Sequence, residues 1–594
     1  MMSRRPLVLA PALVALAGLA RAQEVPVPPA DRLHALLEED HEALMTRYPT
    51  WASVRGDRRF DDRLTDPSPE AEAAWLAASA ERLAAARALN RAALSPDDLV
   101  NAELLVHELE RRLAAGRFRE WLTPLTQVGG PQQSLPQLPE RLSFTTTAHR
   151  EAWAARLEAI PGHLAQVVAN LRRGLQEGIT PPRLTLARAA EQCRAQADGA
   201  PEAHALFAPL RGLPLDDALA ARGLAATRAA MAAFAALGEF LDDEYVPACR
   251  EALAATARPD GDDYYAYCLQ EHSTLPLGAD EIHAIGLAEV ARIKAEMHEV
   301  IGRSGVALPP DLEGDARLRA FVERLRADPR SYCQSADELL ARYRDVAKRV
   351  DPELPRLFGR LPRNTYGVRA MPDFIATSAP TAYYYSGSLE NGTPGWFVAN
   401  THRLDQRPTY EMVPLTLHEA VPGHHLQIAL AQELTERPRW RQLLGYTAYV
   451  EGWALYAERL GLEMGPPGSR GLYADPIDDF GRLSYEMWRA LRLVVDTGLH
   501  AFGWTRQRAI DYMLASSALT PENVEREVDR YVAWPGQAVA YKLGELTFRD
   551  LRRRAEERLG ERFDVRAFHD LVLGEGAVPL GVLERMVERW LDAR

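Results

Sequence analysis

The segment from His418 to His425 contains side chains that could bind a metal ion and use it for hydrolysis. A catalytic zinc site takes three protein ligands and leaves one position open. In the common His-Glu-x-x-His form two histidines share one helix face, but here Pro422 occupies the place of the second histidine. On an unbroken helix His424 would lie about 9 Å along the axis from His418 and roughly 120° around it. Because Pro422 lacks an N–H and Gly423 tolerates unusual backbone angles, the sequence predicts a widened turn that brings His424 back beside His418.

Two glutamates of a second predicted helix could complete the site. Glu451 and Glu458 are seven residues apart and therefore share one face of this helix. A carboxylate from a second helix is the usual third ligand when two histidines come from the first. We expect His418, His424 and Glu451 to hold one Zn²⁺ ion, and Glu458 to orient a histidine. His425 would lie about 10.5 Å along an ideal helix from His418, which favours a supporting or substrate-binding role, although the choice of second ligand stays open.

Glu419 directly follows the first expected ligand. Zinc lowers the pKa of a bound water towards about 7. A carboxylate at this position is expected to be the general base that takes the proton of the water and later delivers it to the leaving amine. The expected chemistry is therefore hydrolysis of an amide bond, and manganese or cobalt could replace zinc in the same ligand set.

A row of polar side chains marks one face of a later predicted helix, namely Arg489, Arg492, Asp496 and His500. Leucines and valines occupy its other faces, so this helix is expected to be buried. Buried charges are costly unless they are paired. The row is either a structural ion-pair network or support for the metal site. If Arg492 binds a substrate carboxylate instead, the protein would be a carboxypeptidase or dipeptidase.

Most of the elements that must position these residues are predicted helices. Apolar residues recur at i, i+3 and i+4 in long segments rich in Ala, Leu, Arg and Glu. A segment rich in Gly, Pro and Gln, Val128–Pro139, is expected to be an ordered loop. The clearest helical segments are Ala71–Ala114, Ala148–Glu177, Asp216–Ala254, Ala279–Gly302 and Ala316–Val350.

One persuasive strand signal occurs, at Thr381–Thr401. Two β-prone runs, Tyr383–Tyr385 and Trp396–Val398, flank the turn-forming stretch Ser386–Gly395. This pattern predicts a β-hairpin shortly before the histidine segment. The hairpin could hold an extended peptide by main-chain hydrogen bonds, or it could have only a packing role.

The chain of 594 residues is longer than one hydrophobic core usually requires. We expect an N-terminal helical lobe over residues 23–255 and a catalytic helical lobe with the zinc site over residues 256–594. The four cysteines have no C-x-x-C spacing. They therefore argue against a structural zinc site, and their disulfide pairing stays open.

Residues 1–22 are expected to be a cleaved signal peptide. Arg4 and Arg5 precede the apolar stretch Leu7–Leu19, and Ala20–Ala22 fits a small-x-small cleavage site. A general secretory signal fits better than a twin-arginine signal, so we expect a periplasmic or secreted protein with no membrane anchor in its mature form. Loss of this segment removes three arginines and changes the net charge from −13 to −16. That charge argues against nucleic acid as a partner.

Several stretches carry a family resemblance: Met371–Phe374, Gly395–Thr401, His418–Gln427, Glu451–Glu458, Arg489–His500 and Pro535–Gly544. They resemble the bacterial family called domain of unknown function 885 (DUF885), over nearly all of the mature chain. That family is similar in pattern to helical, gluzincin-type zinc peptidases, namely the neurolysin-like oligopeptidases, angiotensin-converting enzyme and the Taq-type carboxypeptidases.

The resemblance implies a mostly α fold, with two helical lobes flanking a deep active-site channel and a small β-hairpin or sheet beside the zinc helix. It favours His424, the histidine after glycine, as the second ligand. It also implies that a tyrosine late in the chain, Tyr541, donates a hydrogen bond to the oxyanion. The alternative for Tyr541 is an ordinary place in the core.

These features predict an exported zinc metallopeptidase that hydrolyses short peptides, as an oligopeptidase or as a carboxypeptidase or dipeptidase. A channel between lobes would exclude folded proteins. Two alternatives stay open: a catalytically inactive peptide-binding protein, and a metal-dependent hydrolase of non-peptide amides such as N-acyl amino acids. The presence of Glu419 argues against the first alternative, because a pure binder does not need a base.

Overall fold

A computed structural model describes residues 27–213, 217–372, 376, 380–389 and 392–594. The predicted signal peptide, Met1–Ala22, lies outside these residues, as do the second half of the Met371–Phe374 stretch and Asn391 of the predicted turn. The described chain is mostly α-helical and contains one small sheet, so the predicted fold class is confirmed.

Many helices begin at a Ser, Thr or Asp whose side chain accepts a hydrogen bond from the first turn, followed by Pro at the first helical position. In the first half of the chain the helices are α1 Pro29–Arg47, α2 Pro49–Val54, α3 Pro69–Arg87, α4 Pro96–Phe118, α5 Pro131–Gln137, α6 Thr147–Gln176, α7 Ala189–Ala195, α8 Ala218–Phe240, α9 Val246–Ala248, α10 Gly261–Ser273 and α11 Ala279–Arg303. In the second half they are α12 Gly314–Arg326, α13 Ala336–Val350, α14 Leu354–Leu357, α15 Met412–Glu419, α16 His424–Gln432, α17 Thr447–Leu460, α18 Pro476–His500, α19 Arg506–Ser516, α20 Pro521–Ala533, α21 Ala540–Leu559, α22 Val565–Leu573 and α23 Leu580–Asp592.

Three sequence predictions differ from the observed elements. The segment Ala71–Ala114 contains two helices, because α4 starts anew at Pro96, and proline cannot continue a helix interior. The segment Ala316–Val350 is likewise divided, around Pro329, into α12 and α13. The predicted loop Val128–Pro139 contains the short helix α5, which places a proline at its first turn.

The sheet has three strands in the order β1-β3-β2: β1 Tyr366–Ala370, β2 Ala382–Tyr385 and β3 Gly395–Ala399. β2 and β3 are antiparallel and pair Tyr384 with Phe397, as expected for the predicted hairpin. β1 pairs with β3 in parallel and was not predicted. β2 therefore forms one edge of the sheet.

The hydrophobic core has several parts. One buried cluster joins α1, α3 and α4 to helices that follow residue 346. Another has all of its buried members between Leu125 and Cys249. The division into lobes at residue 255 and the channel between them stay predictions. All four cysteines are buried and carry free thiols.

Within the described residues, one helical stretch, Ala218–Ala248, is long and apolar enough to cross a membrane by length and composition. Half of its most apolar window is buried inside the protein, and the core helix of a soluble protein passes the same test.

Candidate metal centre

The helix that carries the histidine segment breaks where the sequence predicts. α15 ends at Glu419 and α16 begins at His424. A Cβ atom on Gly423 would lie 2.0 Å from the carbonyl oxygen of His418, so only glycine allows this close return of the chain. As a result the rings of His418 and His424 stand edge to face with their centroids 4.7 Å apart.

Glu451 approaches both rings from α17. Its Oε2 atom lies 3.4 Å from Nε2 of His418 and 3.8 Å from Nε2 of His424. One ligand atom from each of the three residues falls within 4.8 Å of the others. We call His418, His424 and Glu451 the His418 cluster.

The donor set of the His418 cluster fits zinc. Two ligand atoms that each lie about 2.1 Å from a tetrahedral zinc are about 3.4 Å from each other, which is close to the two nitrogen–oxygen distances above. Oε2 of Glu451 is buried and makes no well-formed hydrogen bond within the described residues. A carboxylate oxygen that lies close to two imidazole nitrogens and makes no such hydrogen bond can bind a cation.

Glu458 lies seven residues after Glu451, two turns along α17, and contacts the other side of His418. Its Oε1 atom is 2.8 Å from Nδ1 of His418, and its side chain is 2% exposed. When Nδ1 carries the proton it donates to Glu458, and the lone pair of Nε2 then faces Glu451. Glu451 and Glu458 therefore both contact His418, as their shared helix face suggests.

The electrostatics of the cluster favour a positive charge at its centre. Burial opposes protonation of His418, but the carboxylates of Glu451 and Glu458 raise its pKa to about 9. Burial likewise opposes ionisation of Glu451, but the two histidines lower its pKa to about 2. The carboxylates therefore hold either a proton or a metal ion between the rings.

Glu419 is almost fully buried beside the cluster. Burial raises the pKa of its carboxyl to about 7, and the charge of Glu451 acts in the same direction. The backbone N–H of Tyr384, in the edge strand β2, donates to this carboxylate. The candidate base thus lies between the cluster and the edge of the sheet.

His425 faces the sheet and not the His418 cluster. Its Nδ1 atom is 3.0 Å from the hydroxyl of Tyr384, and its Nε2 atom is 3.2 Å from the carbonyl oxygen of Asn364. Its ring also packs on Tyr366. Both nitrogens are therefore engaged, and of the two histidines it is His424 that lies beside His418.

A contact between two helices brings Tyr541 to the cluster. α17 and α21 cross at two glycines. A Cβ on Gly544 would lie 1.9 Å from the carbonyl oxygen of Ala448, and one on Gly452 would lie 2.5 Å from Cα of Gly544. Gly452 follows Glu451 directly, and Tyr541 lies nearly one turn before Gly544. Burial raises the pKa of Tyr541, and the charge of Glu451 raises it further. Tyr541 therefore keeps a hydroxyl proton that it can donate.

The polar row of α18 divides into two halves. Arg489 lies near the cluster, since its Nη2 atom is 4.0 Å from Oε1 of Glu458. Its positive charge lowers the pKa of both Glu419 and Glu451. The guanidinium of Arg492 stacks on Tyr541 with its Cζ atom 4.2 Å from the ring centre.

The other half of the row has a structural role. Asp496 accepts hydrogen bonds from the Tyr265 hydroxyl and from the backbone N–H of Gly536. His500 accepts from the backbone N–H of Ala255 through Nδ1 and contacts the carbonyl oxygen of Tyr531 through Nε2. These contacts hold α18 to α10 and to the segment before α21. The supporting or substrate-binding role of Asp496 and His500 stays a prediction.

A second buried group of acids, which was not predicted from the sequence, surrounds Lys542, the residue after Tyr541. The Nζ atom of Lys542 lies 2.9 Å from Glu289, 2.9 Å from Glu486 and 2.7 Å from Glu545. We call these four residues the Lys542 cluster. No spacing rule identifies it, because its members come from α11, α18 and α21.

A cleft of about 800 Å³ opens at the other end of α15, where Met412 and Val413 line it together with charged side chains such as Arg324 and Asp345. None of the His418 cluster lines this cleft.

The chain was compared with known proteins. The model of a family described as bacterial protein of unknown function (DUF885) matches residues 49–587. Among solved structures, the "putative lipoprotein" from Colwellia psychrerythraea is similar with a TM-score of 0.85 and 28% identity, over 96% of this chain and 100% of that chain. A "putative lipoprotein of unknown function" from Shewanella oneidensis has a TM-score of 0.76 and 18% identity, over 95% of this chain and 100% of that chain. A search of curated proteins gave no match.

Proposed function

The chain belongs to the bacterial family DUF885, and we propose that it is an exported, zinc-dependent peptidase that hydrolyses short peptides. One observation carries the proposal: the ligand atoms of His418, His424 and Glu451 converge within 4.8 Å, with the carboxylate of Glu419 beside them. Two imidazoles and a carboxylate are a common ligand set of catalytic zinc.

Zinc held by these three residues would supply a Lewis acid that polarises a substrate carbonyl and acidifies water near neutral pH. The chain supplies the proton transfers. Glu419, whose pKa burial raises to about 7, is suited to accept a proton from water and to return it to the leaving amine, because its protonated and ionised forms are close in free energy at neutral pH.

Tyr541 supplies a donor for the negative charge that develops on the carbonyl oxygen of the substrate. Its hydroxyl stays protonated because burial and Glu451 raise its pKa. A preorganised donor in a site with little water stabilises an oxyanion more than the ground-state carbonyl. Tyr541 would therefore stabilise the oxyanion by donating a hydrogen bond to it.

The edge strand β2 supports an extended peptide as the substrate. β3 pairs with one side of β2, and on its other side the backbone N–H of Tyr384 reaches Glu419. A peptide that lies along this edge would run beside the base and the His418 cluster and would form main-chain hydrogen bonds with the groups of β2 that Glu419 leaves open. Such binding recognises backbone and not one particular side chain.

The order of ligands along the chain supports a relation to the gluzincin-type peptidases, since His418 and Glu419 precede the third ligand by about 30 residues on a separate helix. The basic and apolar start of the sequence, Arg4–Leu19, supports export. The description of the similar Colwellia psychrerythraea protein as a lipoprotein supports export as well.

The proposal is tested with a mixed pool of short peptides and the mature protein supplied with zinc. The products are identified by mass spectrometry beside those of a Glu419→Gln variant and of a Glu436→Gln control, which makes the same chemical change at an exposed position. We expect the wild type and the control to cleave peptides and the Glu419→Gln variant to leave them intact. Absence of cleavage by the zinc-loaded wild-type protein would refute the proposed peptidase activity.

A further inference from the structure

Two arginines on α18 have N–H groups that point into the interior without a partner. Arg489 and Arg492 are 5% and 4% exposed. Nε of Arg489 and Nη1 of Arg492 make no hydrogen bond within the part of the chain that the structure describes. A buried guanidinium N–H without an acceptor is costly, so both atoms are open to a ligand that accepts hydrogen bonds.

The surroundings of Arg492 carry an excess of positive charge. Glu527 accepts hydrogen bonds from both Arg492 and Arg530, each at 3.1 Å, and from the Tyr531 hydroxyl at 2.7 Å. One carboxylate therefore balances two guanidinium groups. Arg489 differs, because its Nη2 atom lies 4.0 Å from Glu458 and its charge also lowers the pKa of Glu419 and Glu451. The excess charge therefore belongs to Arg492. An additional anion would neutralise the excess charge.

The position of Arg492 is fixed by its neighbours. Its Cζ atom lies 4.7 Å from the ring centre of Trp488 and 4.2 Å from that of Tyr541. Nε contacts the Tyr531 hydroxyl at 3.1 Å. The Nη1 atom of Arg492 is therefore held in one position beside Tyr541. A planar acceptor such as a carboxylate matches the planar guanidinium best.

We propose that Arg492, assisted by Arg489, binds a carboxylate of the substrate and so selects peptides with a negative charge next to the scissile bond. The inference rests on the proposed function and adds the substrate class. Arg492 contacts Tyr541, the expected donor to the oxyanion, so the carboxylate that it binds would lie close to the scissile bond.

The carboxylate could be the free C-terminus or an acidic side chain. Three peptides of one sequence separate these sources: one with a free C-terminus, one with a C-terminal amide, and an amide with Asp at the last position. We expect the free acid to be cleaved with kcat/KM about 10- to 100-fold above the plain amide, with the change mainly in KM. A higher rate for the Asp amide than for the free acid would assign the site to a side chain.

Variants test the role of Arg492 itself. Arg492→Met is expected to remove the preference for the free acid, and Arg492→Lys to restore part of it by keeping the charge without the planar fork. Arg526→Met, which removes an exposed arginine of α20, is the matched control and should leave the preference unchanged. Thermal unfolding of each variant verifies that it is folded.

Binding separates this inference from the peptidase itself. Calorimetry with the Glu419→Gln variant measures the affinity of the free acid and of the amide without hydrolysis. Tighter binding of the free acid by about 10-fold or more, lost when Arg492→Met is added, supports the site even if no peptide is cleaved. Equal affinities and equal kcat/KM for the two peptides would overturn it.

Discussion

The His418 cluster lies on α15, α16 and α17, and the Lys542 cluster lies on α11, α18 and α21. Both contain acids in the interior of the protein, yet they balance charge differently. In the Lys542 cluster the chain supplies its own cation, within 2.9 Å of each of three carboxylates. In the His418 cluster the ion pairs of Glu451 within the described residues are with the two histidines alone. Both sets have the composition of a metal site.

The difference shows how a structural group of acids can be told from a candidate binding site. A buried carboxylate needs a counter-charge, and a lysine that provides it leaves no place for an ion. Where histidines stand in that position, they can be neutral, and the acid then requires a proton or a metal. We therefore expect the Lys542 cluster to contribute to stability and the His418 cluster to chemistry.

The largest expected effect on stability comes from Lys542. Replacement by Met would remove the fully buried cation that the three carboxylates share, while each keeps at least one arginine partner. The expected cost is about 2–3 kcal/mol in the free energy of unfolding. Chemical denaturation measures this loss, and zinc binding at the other cluster should persist. Lys348→Met removes an exposed lysine and should change stability by less than about 0.5 kcal/mol. Equal stability of the Lys542 and Lys348 variants would contradict the comparison.

Tyr541, next to Lys542 in sequence, is expected to affect only the reaction. Tyr541→Phe removes a hydroxyl donor and should lower kcat by about 10²- to 10³-fold with little change in KM. Steady-state kinetics on a peptide identified in the product analysis tests this. If the variant lost stability but kept its kcat, Tyr541 would have only a packing role in the core, which is the alternative given by the sequence.

Zinc should stabilise the protein through the His418 cluster. At a free zinc concentration about 100 times the dissociation constant, stabilisation of about 2.7 kcal/mol is expected. It would appear as a zinc-dependent rise in Tm of the wild type that Glu451→Gln abolishes. If zinc raised the Tm of the Glu451→Gln variant but not that of a Glu545→Gln variant, zinc would bind at the Lys542 cluster and not at the His418 cluster.

Glu458 should have the smallest of these effects. Its Oε1 atom forms a hydrogen bond with Nδ1 of His418 at 2.8 Å, and it does not lie among the three expected ligands. Glu458→Gln keeps the shape and loses the charge, so zinc affinity should fall by about 10- to 100-fold with one ion still bound. Competition with a chelator of known affinity gives this ratio, and an unchanged affinity would show that Glu458 has no part in orienting His418.

Much of the site follows from local sequence rules. Pro422 and Gly423 require a break in the helix, and the structure brings His424 beside His418 as a result. The seven-residue spacing of Glu451 and Glu458 places both on the face that meets His418. These inferences depend on backbone geometry over a few residues, which the sequence specifies strongly.

Other features depend on distant partners. The spacing of Arg489, Arg492, Asp496 and His500 identifies a shared face of α18, but the helix is buried along nearly its full length. Its residues meet different neighbours, so the face alone does not show that Asp496 and His500 contact the backbone of Gly536 and Tyr531. Strand β1 was missed for a similar reason, because its parallel partner lies about 30 residues away.

We propose that His418, His424 and Glu451 hold one metal ion. Anomalous diffraction from crystals of the mature protein grown with zinc, recorded above and below the zinc absorption edge, tests this. One strong peak is expected, about 2.0–2.2 Å from a ring nitrogen of each histidine and from a carboxylate oxygen of Glu451. No peak there, or a peak among Glu289, Glu486 and Glu545 instead, would contradict it.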